Sequence, residues 1–207
     1  MSRSSPQDQD AKKPQTLQLV IFLSPYRSTW PFEFRDFGTS LRHHLGSLAL
    51  RIDHIGSTSV PGLAAKDILD IQITVEALLP AVEEAILAAG YSRLQYMSDH
   101  VPSASNPDPT QWQKWVFKRE GERPINLHVR IEGRANQRYA LLFRDYLRAN
   151  PLISHAYGQV KAGIIKHHPE EDMDAYYDIK DPVCDIIMGG AETWATATAW
   201  FFGESDC

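Results

Sequence analysis

The tightest constraint on this chain lies in residues 54–75, where two strand-like segments flank a loop of small residues. Residues 49–55 predict a strand that runs into Gly56-Ser57, and Pro61-Gly62 closes the loop that follows. Residues 68–75 alternate. Leu69, Ile71, Ile73 and Val75 share one face, and Asp70, Gln72 and Thr74 the other. That period of two demands a sheet with one face in the core. Small residues let a backbone approach a ligand closely, and successive N–H groups can cradle an anion. An anion-friendly turn therefore stands beside a carboxylate, an arrangement that suits a metal-bound phosphate.

Further along, apolar residues at spacings of three and four from Trp30 (Phe34, Phe37, Leu41, Leu45, Leu48) predict a helix. Residues 17–23 read as an edge strand, 80–89 as a helix opened by Pro80, and 91–97 as a strand. A proline-rich loop over 98–111 follows, then strands over 112–118 and 124–131. In the latter, Ile125, Leu127, Val129 and Ile131 oppose Asn126, His128 and Arg130. Helices are predicted over 136–149, 152–166 and 172–188, the last stopped by Gly189-Gly190, with another over 192–202. The order gives an α+β fold, a mixed sheet flanked by helices with a helical C-terminal extension from about residue 134. Residues 1–16 are polar and read as a disordered tail, leaving one domain over 17–203.

Composition narrows the function classes. With a net charge of −5, the chain lacks the cationic surface that general nucleic-acid binding needs. Two distant cysteines and no membrane-length apolar run point to a reducing, cytoplasmic setting. The histidines show no zinc-binding spacing, and no nucleophile-elbow motif is present.

The 12 residues between Ser57 and Asp70 resemble the hGS…Dh[DE]h signature of the polymerase-β-like nucleotidyltransferase fold. In that signature the Gly-Ser turn holds nucleotide phosphates and strand carboxylates hold two Mg²⁺ ions. The longer run His54-Ile-Gly-Ser-Thr-Ser-Val-Pro-Gly-Leu-Ala-Ala-Lys66 closely resembles a segment of the GrpB-like family. Pro25-Tyr26 with Trp30-Pro31, Leu127-His128-Val129 and residues 142–147 are similar to other motifs of that family, as is the spacing of Tyr157, Lys161, Tyr176 and Lys180. The likeness spans roughly residues 20–188. It implies the nucleotidyltransferase-like fold and relatives fused to dephospho-CoA kinases.

The expected site follows. Gly56, Ser57, Thr58 and Ser59 would face a phosphate or nucleotide, with Lys66 and Arg130 neutralising it. Asp70 is the candidate catalytic acid, and Asp70 with His128 the candidate ligands of a divalent metal, Mg²⁺ or Mn²⁺ before Zn²⁺. Lys161 and Lys180 default to surface charges. Gln72 stands where many relatives carry an acid, so one charge of the pair is gone. Three readings stay open. The first is a binding module for a small nucleotide or phosphate ligand with a degenerate metal site. The second is an active nucleotidyltransferase drawing a second acid from Asp67, Asp99 or Glu132. The third is an accessory domain that meets a protein partner through its helical third.

Overall fold

The computed structural model describes residues 22–95, 99–102, 105, 108–167 and 173–207. Five strands form one mixed sheet in the order β1-β2-β5-β4-β3. They are β1 (Arg51–Ile55), β2 (Leu69–Val75), β3 (Ser92–Leu94), β4 (Lys114–Arg119) and β5 (Ile125–Ile131). Neighbours pair antiparallel except β2 and β5, which run parallel at the centre. The helices are α1 (Trp30–Leu45), α2 (Pro80–Ala88), α3 (Ala135–Ala149), α4 (Pro151–His167) and α5 (Met173–Thr198).

The alternation in β2 and β5 divides the sheet into unlike faces. Register places Leu69 opposite Ile125, Ile71 opposite Leu127 and Ile73 opposite Val129. These residues are buried under Trp30, Phe34, Leu41 and Leu45 of α1 and Val82 and Ile86 of α2. Each buried side chain of this kind contributes roughly 1.5–3 kcal/mol relative to exposure.

The other face is polar, covered over Asp53, Gln72 and Thr74 and partly open at Asp70 and His128. There Asp53 lies opposite Gln72, and Gln72 opposite His128, while Thr74 lies opposite Arg130 and Arg130 opposite Lys114. The helix α3 closes over this face: Gln72 donates from Nε2 to the Gln137 carbonyl, and Arg144 donates to the His54 carbonyl. Most buried polar groups are bonded, and this face is a network of ion pairs and amides rather than a second oily core.

Three boundaries differ from those the sequence predicts. The helix α5 does not stop at Gly189-Gly190 but runs to Thr198, absorbing the separate helix expected over 192–202. A Cβ at Gly190 would lie 2.8 Å from the Tyr146 hydroxyl, so this glycine lets α5 pack tightly on α3. Packed residues also continue past 203. Ile52 donates from its backbone N–H to the Ser205 hydroxyl, Cys207 donates from its N–H to the Ile52 carbonyl, and Asp206 accepts from the His54 N–H. The third is β3, shorter than the 91–97 strand expected; residues 96–98, like most of the strand expected over 17–23 and the whole 1–16 tail, lie outside the described residues. Leu23 leads into Ser24, which forms an isolated bridge with Ala65.

Candidate functional site

The site forms where β1 ends and β2 begins. Gly56 leaves β1 at φ +68°, ψ −173°, a conformation open essentially to glycine. A single 3₁₀ turn, Ser57–Ser59, follows. Asp70 enters β2 directly behind it. A Cβ on Gly56 would sit 2.5 Å from Asp70 Oδ2, so the turn and the carboxylate touch because no side chain separates them.

Asp70 is held from β5. Asn126 Nδ2 donates to its Oδ1 at 3.0 Å, and His128 Nε2 lies 3.5 Å from the same oxygen. Burial pushes the Asp70 carboxyl up, but the bond and charge of His128 and the Asn126 bond outweigh it, so Asp70 sits below the usual carboxylate range. Burial holds His128 below the usual imidazole range despite its bond to Asp70. At neutral pH the pair is a carboxylate beside a neutral imidazole.

The loop splits its side chains between inward and outward. Thr58 is buried, its hydroxyl 2.9 Å from His54 Nε2, and Ser59 donates to the Gly56 carbonyl at 2.6 Å. His54 stacks on Phe34, and burial lowers it to about 3. Thr58 and Ser59 thus stiffen the loop from within, while Ser57 is half-buried at its outer side.

Two lysines take places the sequence does not reveal. Lys161 is 2% exposed, not a surface charge. It donates to Ser57 Oγ at 2.9 Å and to the Ala64 carbonyl at 2.6 Å, and its ammonium lies 4.7 Å from the Tyr157 ring centroid. Burial, with the charge of Lys180 adding to it, pushes Lys161 down to about 7. Lys66 lies 4.3 Å over the Tyr176 ring, and Lys180 5.7 Å from the Tyr177 ring. Burial and then the Lys180 charge lower Lys66 as well. Lys66, Lys161 and Lys180 therefore converge beside the turn, brought there by the loop, α4 and α5.

Arg130 sits elsewhere. Its guanidinium donates to Gln72 Oε1 at 2.6 Å and to both oxygens of Asp99, at 2.9 and 3.1 Å. Lys114 and Asn136 also donate to Asp99. The Arg130 and Lys114 charges overcome burial and hold Asp99 well below the carboxylate range. The other candidate acids are likewise engaged or lie outside the sheet. Asp67 accepts from Arg27, Trp30 and Arg123; Glu132 is exposed beyond the end of β5. Gln72, fully buried, is bonded at both ends of its amide, by Arg130 and to the Gln137 carbonyl.

A two-metal centre does not fit these residues. Asp70 has no second carboxylate on β2, the carboxylates of Asp53 and Asp99 are committed to Arg51 and to Arg130 and Lys114, and among the described residues no group of three or more His, Cys, Asp or Glu side chains converges as a metal cage. Asp70 and His128 offer one oxygen and one nitrogen that face each other.

The fold and site define the class: an α+β core, a mixed five-stranded sheet flanked by helices, with a Gly-Ser turn beside a strand carboxylate. Within that class the chain belongs to the GrpB protein family, whose model matches residues 20–189. A UPF0157 protein of Halalkalibacterium halodurans is 33% identical over 168 residues, covering 81% of this chain and 80% of that protein. A dephospho-CoA kinase of Mycolicibacterium paratuberculosis is 37% identical over 202 residues, 90% of this chain but 49% of that protein. The chain thus spans about half the length of the curated relatives it matches there. The crystal structure of conserved protein GrpB from Enterococcus faecalis superposes with a TM-score of 0.62 at 26% identity, covering 84% of this chain and 99% of that one. Among the described residues no helix is long and apolar enough to cross a membrane.

Proposed function

We propose that this protein binds a phosphorylated small molecule, with a nucleotide as the leading class, over the Gly56–Ser59 turn. The observation that carries this reading is Lys66, which lies over the Tyr176 ring within the influence of the Lys180 charge and has no carboxylate bonded to it among the described residues. The charge of Lys180, itself 3.6 Å from Asp181, disfavours the protonated form of Lys66, and a phosphate beside Lys66 offsets that effect. Gly56 and Ser57 supply the close backbone approach. Thr58 and Ser59 act by shaping the turn, and Arg130 acts by tying Asp99 and Gln72 to the sheet rather than by meeting ligand.

Asp70 with His128 holds at most one divalent cation, Mg²⁺ or Mn²⁺, at the ligand's edge. Nucleotidyl transfer by the fold's two-metal route is not the function proposed, because the second acid's place is filled by an amide bonded on both sides.

Isothermal titration calorimetry with nucleoside mono-, di- and triphosphates and with coenzyme A precursors, with and without Mn²⁺, tests the reading. The precursors belong in the panel because the longer relatives carry the name dephospho-CoA kinase. Binding that weakens at least tenfold in Lys66→Ala supports the assignment. Silence across the whole panel, with the protein folded by circular dichroism, refutes it.

A further inference from the structure

Ser57 and Lys161 form a pair that phosphate binding does not require. Ser57 Oγ accepts from Lys161 Nζ at 2.9 Å across 104 residues of chain. The amine's other bonding partner is the neutral Ala64 carbonyl. Among the described residues both hydrogen bonds of Lys161 go to uncharged oxygens. A buried ammonium with neutral partners is poorly stabilised, and the free amine is the form that can accept a proton. The hydroxyl itself is half-buried on the outer side of a tight turn whose shape is fixed by Gly56 and by the inward bonds of Thr58 and Ser59. A hydroxyl on a rigid turn, hydrogen-bonded to a buried amine, is the geometry of a lysine-activated serine nucleophile.

We infer that Ser57 is a nucleophile toward an electrophilic phosphorus centre, with Lys161 as its general base. The step balances within the pair and the electrophile. The Ser57 Oγ–P bond forms, and the bond from phosphorus to its leaving group breaks. The leaving group departs with the electron pair, and the hydroxyl proton passes to Lys161 Nζ. For a phosphoanhydride the leaving group is a phosphate, which places the electrophile in the ligand class proposed above and rests on that reading. The nucleophilicity of Ser57 does not rest on it.

The groups facing Lys161 come from every element around it: Tyr157 from its own helix, Lys180 and Cys184 from α5, Lys66 from the loop and Asp70 from β2. The two lysines lower its proton affinity, whereas Asp70 and Cys184 raise it. Burial is the largest effect and sets the balance toward the free amine near neutral pH.

Diisopropyl fluorophosphate is the probe, because its P–F bond breaks with fluoride as the leaving group and needs no phosphate site. Intact-mass spectrometry with peptide mapping is expected to show one diisopropylphosphoryl adduct on Ser57. The labelling rate should rise about tenfold per pH unit below pH 7 and level off above it, as the amine of Lys161 loses its proton. Lys161→Met and Lys161→Arg should each slow labelling by at least about 100-fold, the lower end of what a general base contributes. The arginine variant keeps the charge and loses the base, so a purely electrostatic role would leave it active. No adduct on the wild-type protein, an adduct elsewhere, or labelling as fast in Lys161→Arg overturns the inference. Calorimetric binding of phosphate ligands is read separately. Labelling without binding overturns the phosphate reading alone, and binding without labelling overturns the nucleophile alone.

Discussion

Gly56→Ala is the substitution that most directly probes how the turn and the carboxylate are built together. The backbone there lies at φ +68°, ψ −173°, where a residue with a Cβ is strained by roughly 1–3 kcal/mol. The new methyl would also stand 2.5 Å from Asp70 Oδ2 and 3.0 Å from Asp70 Cβ. Asp70 cannot swing away freely, since Asn126 and His128 hold its other oxygen, so overpacking adds roughly 1–3 kcal/mol. The two terms together reach about 2–6 kcal/mol, a large part of the ~5–15 kcal/mol by which a domain is stable. Gly62→Ala is the matched control. Its φ is +78°, yet nothing lies within 4 Å of the added Cβ, so it carries the backbone cost without the clash. Urea denaturation of the three proteins should place Gly56→Ala below Gly62→Ala by at least ~1 kcal/mol, with unchanged m. The double variant Gly56→Ala/Asp70→Ala should recover part of the loss, because it removes the closest contact. Equal stability of the two single variants would refute the claim that Asp70 packs against the turn.

Other perturbations follow from the polar face. Asp99→Asn leaves Arg130 and Lys114 buried without their counter-charge and should cost roughly 3–5 kcal/mol, read by urea melts at pH 7. Because Asp99 titrates well below its unfolded range, its contribution is present above about pH 4 and lost as pH falls further, so Asp99→Asn should also flatten the acid limb of stability. His54 is lowered to about 3, so the unfolded chain binds the extra proton between that value and about 6.5. Stability should fall by about 1.4 kcal/mol per pH unit on acidification through that window, and His54→Gln should remove this slope. Gln72→Glu sets a carboxylate oxygen against the Gln137 carbonyl and should destabilise by roughly 1–3 kcal/mol while leaving Mn²⁺ affinity by calorimetry within twofold.

Much of the sheet could be read from the sequence because its signals are local. The period of two in residues 69–75 and 125–131 separates the faces without knowledge of any partner, and the register confirms each side. The turn was equally legible, since its glycine and small residues are contiguous with the strands. The helix ends were not. Gly189-Gly190 reads as a stop because glycine weakens a helix by roughly 1 kcal/mol relative to alanine. Here the close approach of Tyr146 on α3 makes a small residue necessary at Gly190, and the packing of α5 along its buried side carries the helix through. A local propensity was outweighed by a contact formed across 44 positions, between Tyr146 and Gly190.

The site divides along the same line. Gly56, Ser57 and Asp70 announce themselves by spacing, but charge partners do not. Lys161 carries the ordinary look of a surface lysine, and only the fold brings Ser57 to it. Arg130 looks like a ligand for an anion because it shares a strand face with His128. Its partner Asp99 lies in a proline-rich loop with no periodicity to place it over the sheet. Gln72 shows how the two kinds of information combine. From the sequence, an amide replacing an acid relieves repulsion beside Asp70. In the structure that amide is a connector, accepting from Arg130 and donating to the Gln137 carbonyl at once. A glutamate cannot donate that second bond while ionised. The substitution at Gln72 is therefore tied to Arg130, Asp99 and the first turn of α3 as a unit, and restoring an acid there without rebuilding those partners should not restore a two-metal site.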